Sequence, residues 1–183
     1  MKKEIIAAID LGTTKVCAVI AEREEGKQSF NILGFGIAPS EGLHKGLVAN
    51  IGKTAEAIKE AMSIASNRAG LTITLVNVGV AGEHITSLLH RNYVTISSDE
   101  KEITKKDLER LEADVRTIRI PSDRQILHII PIEFSVDHQP GIENPIGMSG
   151  SRLEARNHVV LASIPAIKKK KKSVERAGLK VKD

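Results

Sequence analysis

Ile5–Glu22, IIAAIDLGTTKVCAVIAE, is the stretch whose reading decides the fold. An apolar run ends on an acidic residue, Asp10, and a glycine and two threonines follow before a second Val- and Ile-rich run opens at Lys15. Two such runs with a short polar interval predict two β-strands joined by a tight turn: Glu4–Asp10 and Lys15–Ala21, with Leu11–Thr14 between them. A carboxylate at the end of a buried strand is costly unless something pairs with it. Gly12 can adopt φ > 0 and lets a ligand approach the backbone. Successive turn N–H groups can form an anion-binding nest, and Thr13 and Thr14 add hydroxyl donors. Asp10 can hold a hydrated Mg²⁺ that is itself bound to phosphate oxygens. The same residues also suit a plain hairpin turn in which Asp10 satisfies backbone N–H groups. There is no G-x-x-x-x-G-K-[ST], so the stretch is not a P-loop.

Working outward, Phe30–Ala38 reads as a third strand after the polar linker Glu22–Ser29, which makes an antiparallel meander. Pro39–Ala49 reads as a loop. Ile51, Ile58, Ala65 and Ala69 recur at helical spacing, with Asn50 as N-cap and Gly70 as the C′ residue. Thr72–Val80 reads as a strand. The order strand, strand, strand, helix, strand predicts a mixed sheet with a helix on one face rather than a plain Rossmann unit.

The next block has a different rhythm. Ile85–Ser97 reads as one strand, or as a hairpin broken near Arg91–Asn92. Thr104 and Asp107 form a capping-box-like pair flanked by Ile103 and Leu108 as a hydrophobic staple. The helix they start buries Leu108, Leu111, Val115 and Ile118 and stops before Pro121. In QILHIIPIEFSVDH (125–138), Leu127 and Ile129 share one parity while Ile132, Phe134 and Val136 share the other, so a bulge is expected at Pro131. Residues 139–151 read as a loop and His158–Ile164 as a strand, completing a small α+β unit. Pro165–Gly178 reads as a helix, and Leu179–Asp183 as the start of another strand.

Composition narrows the function classes. Of 183 residues 41% are hydrophobic, which is ordinary for a folded domain. Aromatics are few (Phe30, Phe35, Phe134, Tyr93) and Trp is absent, so the core is expected to be aliphatic. The single cysteine, Cys17, excludes an internal disulfide, fits a reducing compartment and reads as a small core residue. No signal peptide and no ~20-residue apolar span is found. The net charge of +4 is local: without Lys168–Lys172 it becomes −1. With no aromatics interleaved to stack on bases, that run reads as a solvated helix face rather than a nucleic-acid or anionic-lipid patch. His84, His90, His128, His138 and His158 show no metal-ligand spacing. Glu133, Asp137 and Glu143 read as a solvated sheet face in preference to paired catalytic carboxylates, and strand edges in this block are open to pairing with a partner strand.

Residues 6–20 resemble the first phosphate loop of the actin, hexokinase and Hsp70 superfamily. A longer resemblance, to the bacterial cell-division FtsA family, runs in order through AIDLGTTKVCAVIAE, GLHKGLVANIGKTAEAIKEAMSIASNRAG, VNVGVAGEHITS, EITKKDLERL, RQILHIIPIEFSVDHQPGIENPIGMSGSRLEARNHVV and VERAGLKV. PIGMSGSRLEA after ILHIIPIEFSVD is its specific part, and the resemblance covers essentially the whole chain. It implies an α/β fold. An actin-like (RNase H-like) subdomain with a mixed sheet, 1A, would take residues 1–83 and 159–183 and carry an inserted small α+β subdomain, 1C, over 84–158.

The resemblance also implies a function. Asp10, Gly12, Thr13, Thr14 and Lys15 would face the phosphates of ATP, with Asp10 holding Mg²⁺ through water. An FtsA binds ATP with at most weak hydrolysis and polymerises on the cytoplasmic face of the inner membrane at the division site. It tethers FtsZ there and recruits later division proteins, in part through 1C; no nucleic acid is involved. The second phosphate loop, the adenosine-binding glycines, the FtsZ-binding subdomain and a C-terminal amphipathic membrane helix would lie beyond Asp183, so the chain reads as an N-terminal half. A PilM-like pilus-assembly protein is the runner-up, against which GMSGSRLEA speaks. A sugar or acetate kinase of the same superfamily would need a catalytic carboxylate and substrate loops that no segment supplies.

Overall fold

The computed structural model describes residues 3–24, 26, 29–98 and 100–183. They form two compact units, one of residues up to His84 together with Ile164–Asp183, the other of Ile85–Ser163.

In the first unit, β1 (Lys3–Leu11), β2 (Lys15–Glu24) and β3 (Phe30–Pro39) form the expected antiparallel meander. The linker between the last two lies partly outside the described residues. Alternation buries one parity of each strand: Ala7, Ile9 and Leu11 on β1, and Val16, Ala18 and Ile20 on β2. The expected loop 39–49 contains a small hairpin, β4 (Leu43–His44) with β5 (Leu47–Val48). Its two turn residues, Lys45 and Gly46, have φ of 48° and 77°, the handedness that a two-residue hairpin turn requires.

Helix α1 (Ile51–Ala69) starts at Asn50, whose Oδ1 accepts the Lys53 N–H at 3.0 Å. It ends at Gly70, whose φ of 65° sends the chain back so that Leu71 N–H reaches Ser66 O at 3.2 Å. Its inner face is mostly small (Thr54, Ala55, Ala57, Ala61, Ala65), and it lies against Gly34 and Gly36 of β3. A Cβ on Gly36 would strike the Ala61 carbonyl, and one on Gly34 the Ala65 carbonyl, so helix and strand meet backbone to backbone. The strand expected over 72–80 is shorter, β6 (Leu75–Gly79), and runs parallel to β1.

The second unit is an antiparallel sheet with one helix. Strand β7 (Ile85–Thr95) is unbroken, so the break considered near Arg91–Asn92 does not occur. Asn92 is instead a buried latch: its Nδ2 donates to Leu111 O (2.7 Å) and Asp114 Oδ2 (3.0 Å), and its Oδ1 accepts from Asn157 Nδ2 (2.9 Å). Helix α2 (Lys105–Val115) is capped by Thr104, whose N–H and hydroxyl both donate to Asp107 Oδ2 at 3.0 and 2.7 Å. Of the expected stripe, Leu111 and Val115 are fully buried, while Leu108 and Ile118 pack at the margin of the core.

Strand β8 (Arg124–Val136) has two irregularities against β10 (Arg152–Ser163), not one. The first leaves Ile132 unpaired, next to the Pro131 expected to mark it; the second leaves Leu127 unpaired. The segment expected as a loop from 139 opens with β9 (Gln139–Ile142), paired to β8 through a turn at Asp137 and His138, whose φ are 46° and 72°. Strand β10 begins six residues before the expected His158 because the sheet order β7-β10-β8-β9 makes it central, with partners on both sides. Met148 O accepts from Ile103 N–H (2.9 Å) and Lys101 O from Gly150 N–H (2.8 Å), which ties the GMSG stretch to the start of α2.

The chain returns to the first unit as α3 (Ile164–Arg176), ending at Gly178 with φ 87°. Last comes β11 (Lys180–Val181), the expected strand start, parallel to β6. The five-stranded sheet is therefore mixed, ordered β11-β6-β1-β2-β3.

Candidate functional site

Asp10 and Leu11 end β1 opposite Cys17 and Val16 of β2, and the Gly12 N–H donates to Lys15 O at 3.0 Å to close the hairpin. Gly12 is not in the left-handed region, so its freedom to adopt a positive φ is not used here. A Cβ there would sit 2.7 Å from Lys15 O, and only glycine permits the closure. Thr13 and Thr14 form the exposed tip and Lys15 is exposed beside them. Thr14 O accepts from Ser40 N–H at 3.0 Å, and Thr13 Oγ1 accepts from Gly46 N–H at 3.3 Å, which leaves the Thr13 hydroxyl proton to donate.

The hairpin tip belongs to a cluster of loops. A Cβ on Gly46 would lie 2.5 Å from Ala81 O, and one on Gly82 3.1 Å from Lys45 O. Asp10 pairs with Gly79 of β6, where the missing side chain leaves the carboxylate uncovered; a Cβ there would meet Asp10 Oδ1 at 3.4 Å. β1 and β6 are parallel, and both finish here. The carboxyl ends of parallel strands are where open α/β sheets receive their ligands.

One buried residue near this cluster is not anticipated from the sequence. Lys170 of α3, read as part of a solvated run, is 2% exposed, while Lys168, Lys169, Lys171 and Lys172 are exposed as expected. Its Nζ donates to Ala81 O at 3.4 Å. Burial pushes its pKa down, and the Asp10 carboxylate pushes it partly back. The signal was available: Ala166, Lys170, Ser173 and Val174 form the buried stripe of α3, and that spacing must take in one of five consecutive lysines.

Among the described residues no group of three or more His, Cys, Asp or Glu could hold a metal by themselves. Mg²⁺ bound with phosphate needs less, one or two carboxylates with water and phosphate oxygens completing the shell. An uncovered Asp10 carboxylate beside an exposed Gly-Thr-Thr tip and a buried ammonium fits that arrangement. In the second unit the expected acidic face is not formed. Asp137 turns out of the strand and accepts the N–H groups of Ser151 and Arg152 at 3.0 and 2.9 Å, while Glu133 is paired to Arg156 Nε at 3.1 Å.

Comparison with known proteins shows what the chain is similar to. Residues 82–161 match the SHS2 domain inserted in FtsA. The chain is 39% identical over 179 residues to a cell division protein FtsA of Neisseria meningitidis serogroup B, covering 98% of this chain and 42% of that protein. It is 38% identical over 180 residues to the Pseudomonas aeruginosa protein of that name and 33% identical over 180 residues to that of Escherichia coli K12, with the same shares of each chain. It thus spans 42% of the length of these relatives. Among solved structures, a chain of a PilM–PilN type IV pilus biogenesis complex has the same fold, with TM-score 0.62 at 17% identity over 97% of this chain and 46% of the other. The fold is mixed α/β and actin-like, with a small α+β domain inserted, as the sequence implied.

Proposed function

We propose that this chain, which resembles FtsA along nearly its whole length, is the part of an FtsA-type cell-division protein that receives the phosphates of ATP. The observation that carries the reading is the exposed Gly12–Lys15 hairpin at the carboxyl ends of parallel β1 and β6, with Asp10 uncovered beside it. Gly12, Thr13, Thr14 and Lys15 line the phosphates, the Thr13 hydroxyl donates, and Asp10 orients a hydrated Mg²⁺. Bound Mg²⁺ would neutralise phosphate charge, which is its role wherever nucleotides bind through it.

In this reading the first unit is subdomain 1A and Ile85–Ser163 is subdomain 1C, the unit through which later division proteins are recruited. In this reading the whole protein polymerises on the inner membrane at its cytoplasmic face and tethers FtsZ. No helix among the described residues is long and apolar enough to cross a membrane. A PilM-like role in pilus assembly is the second reading; the likeness of fold supports it, and the identities to FtsA proteins support the first.

Calorimetric titration of the chain with Mg·ATP tests the site. Binding is expected with Kd well above about 1 μM, since only part of the relatives' length is present, and Asp10→Ala is expected to remove the dependence on Mg²⁺. An affinity unchanged by Asp10→Ala would return the hairpin to a plain turn.

A further inference from the structure

We propose that Lys170 is a built-in cation of the phosphate site, its ammonium binding a phosphate oxygen of the nucleotide while Asp10 holds the hydrated Mg²⁺. The inference rests on the nucleotide reading above and adds a contact from α3 that the hairpin sequence does not contain. An ammonium has three N–H donors and no acceptor. At Lys170 the hydrogen bond to Ala81 O, at 3.4 Å, is longer than an ordinary N–H···O bond, and no other is made among the described residues. The residue is 2% exposed, so only a small part of it meets solvent and water serves the remaining donors poorly. A buried charge without close partners is strongly destabilising.

The opposite charge that Lys170 feels is Asp10, yet the two do not close to an ion pair. A direct pair would have cancelled both charges and left nothing for a ligand. Held apart, they suit an alternating sequence of carboxylate, Mg²⁺, phosphate and ammonium in which every neighbour is of opposite sign. A lysine is fit for this because its compact charge on a flexible stem can follow a phosphate without fixed fork geometry. The surrounding glycines, Gly46, Gly79 and Gly82, keep side chains out of the space around Asp10 and Ala81.

The test titrates the chain with Mg·ATP and, separately, Mg·pyrophosphate, followed through the amide resonances of Gly12, Thr13 and Thr14 and through the Lys170 Cε–Hε resonance. Lys170→Met keeps the length of the side chain and removes its charge. It is expected to raise Kd for both ligands about tenfold, which is about 1.4 kcal/mol, while Lys172→Met on the exposed face leaves both unchanged. In the wild-type chain the Lys170 resonance is expected to move with either ligand, a readout that needs no variant to fold. If Lys170→Met binds as the wild type does, or the Lys170 resonance stays still while Asp10→Asn weakens binding, the lysine is only an internal cross-link to Ala81 and the nucleotide reading stands. If the wild-type chain binds neither ligand, the nucleotide reading itself falls, and this inference with it.

Discussion

Gly12 shows what a single position decides. The hairpin closes because nothing projects toward Lys15 O, 2.7 Å from where a Cβ would be. Gly12→Ala is therefore expected to destabilise the first unit by about 1–3 kcal/mol, the range for forcing extra volume into a packed place, measured as a lower melting temperature. The left-handed glycines respond differently: at Gly70, φ 65° with open space around the position, an alanine is strained by its backbone and not by contact. At residue scale the sequence points to the hairpin as a candidate site but does not give the physical reason for each of its residues. The freedom of Gly12 to adopt a positive φ is not used; lack of room is what requires glycine there, and a glycine code does not distinguish torsional need from lack of room. Lys170 was hidden for the opposite reason, since one lysine in a run of five differs from the rest only through where the helix turns it.

At the scale of elements, the helices were the most legible, because their signals are local. Asn50 and Gly70 bound α1 as read, and Thr104 with Asp107 starts α2. The cap has a pH signature. Burial raises the Asp107 pKa, but the Thr104 hydroxyl, the Thr104 N–H and the Arg110 guanidinium together outweigh it, and the net pKa lies below its ordinary 3.8. A carboxylate depressed in the folded state stabilises above its unfolded pKa and loses that contribution as pH falls through the folded one. Melting temperatures recorded from neutral pH down into the acid range should therefore fall less for Asp107→Asn than for the wild type below about pH 4, from a lower starting point. Leu111 tests the register of α2: at 2% exposure, Leu111→Ala should cost about 2–5 kcal/mol, whereas charge reversal at exposed Glu112, which loses its pair with Arg116 and sets like charges at i and i+4, should cost no more than about 1 kcal/mol. Strand ends were read less well. The expected loop from 139 opens with edge strand β9, and β10 begins at Arg152, before the expected His158, because a strand in the middle of a sheet is extended by partners distant in sequence.

At the scale of the whole molecule the chain is two units with separate cores. Ile9, Val16, Ile20, Ile58, Val76 and Val174 centre the first. In the second, Leu111, Leu153 and Ala155 sit in one cluster and Val115, Val159 and Leu161 in another, all within Ile85–Ser163. Each unit has its own sheet, β7-β10-β8-β9 in the second and β11-β6-β1-β2-β3 in the first. Hydrogen exchange is expected to show two cooperative blocks with distinct opening free energies. A single opening free energy shared by β1–β3 and β8–β10 would contradict the separation. Leu111→Ala should lower protection across the second block and leave the first unaffected.

The sequence by itself determined the class of the fold, helix α1 with both its caps and the capped start of α2, the hairpin that carries Asp10, Gly12, Thr13, Thr14 and Lys15, and the resemblance through which its relatives are known. These follow from short-range chemistry: periodicity, caps and turns act over a few residues and can be read along the chain. Only the tertiary structure decided that Lys170 is buried with its ammonium on Ala81 O, that Asn92 bridges β7, β10 and α2, and that β6 lies parallel to β1 so that Gly79 uncovers the carboxylate. Each of these joins residues tens of positions apart. Burial and charge at such places are fixed by which elements pack together, and no local pattern encodes that choice.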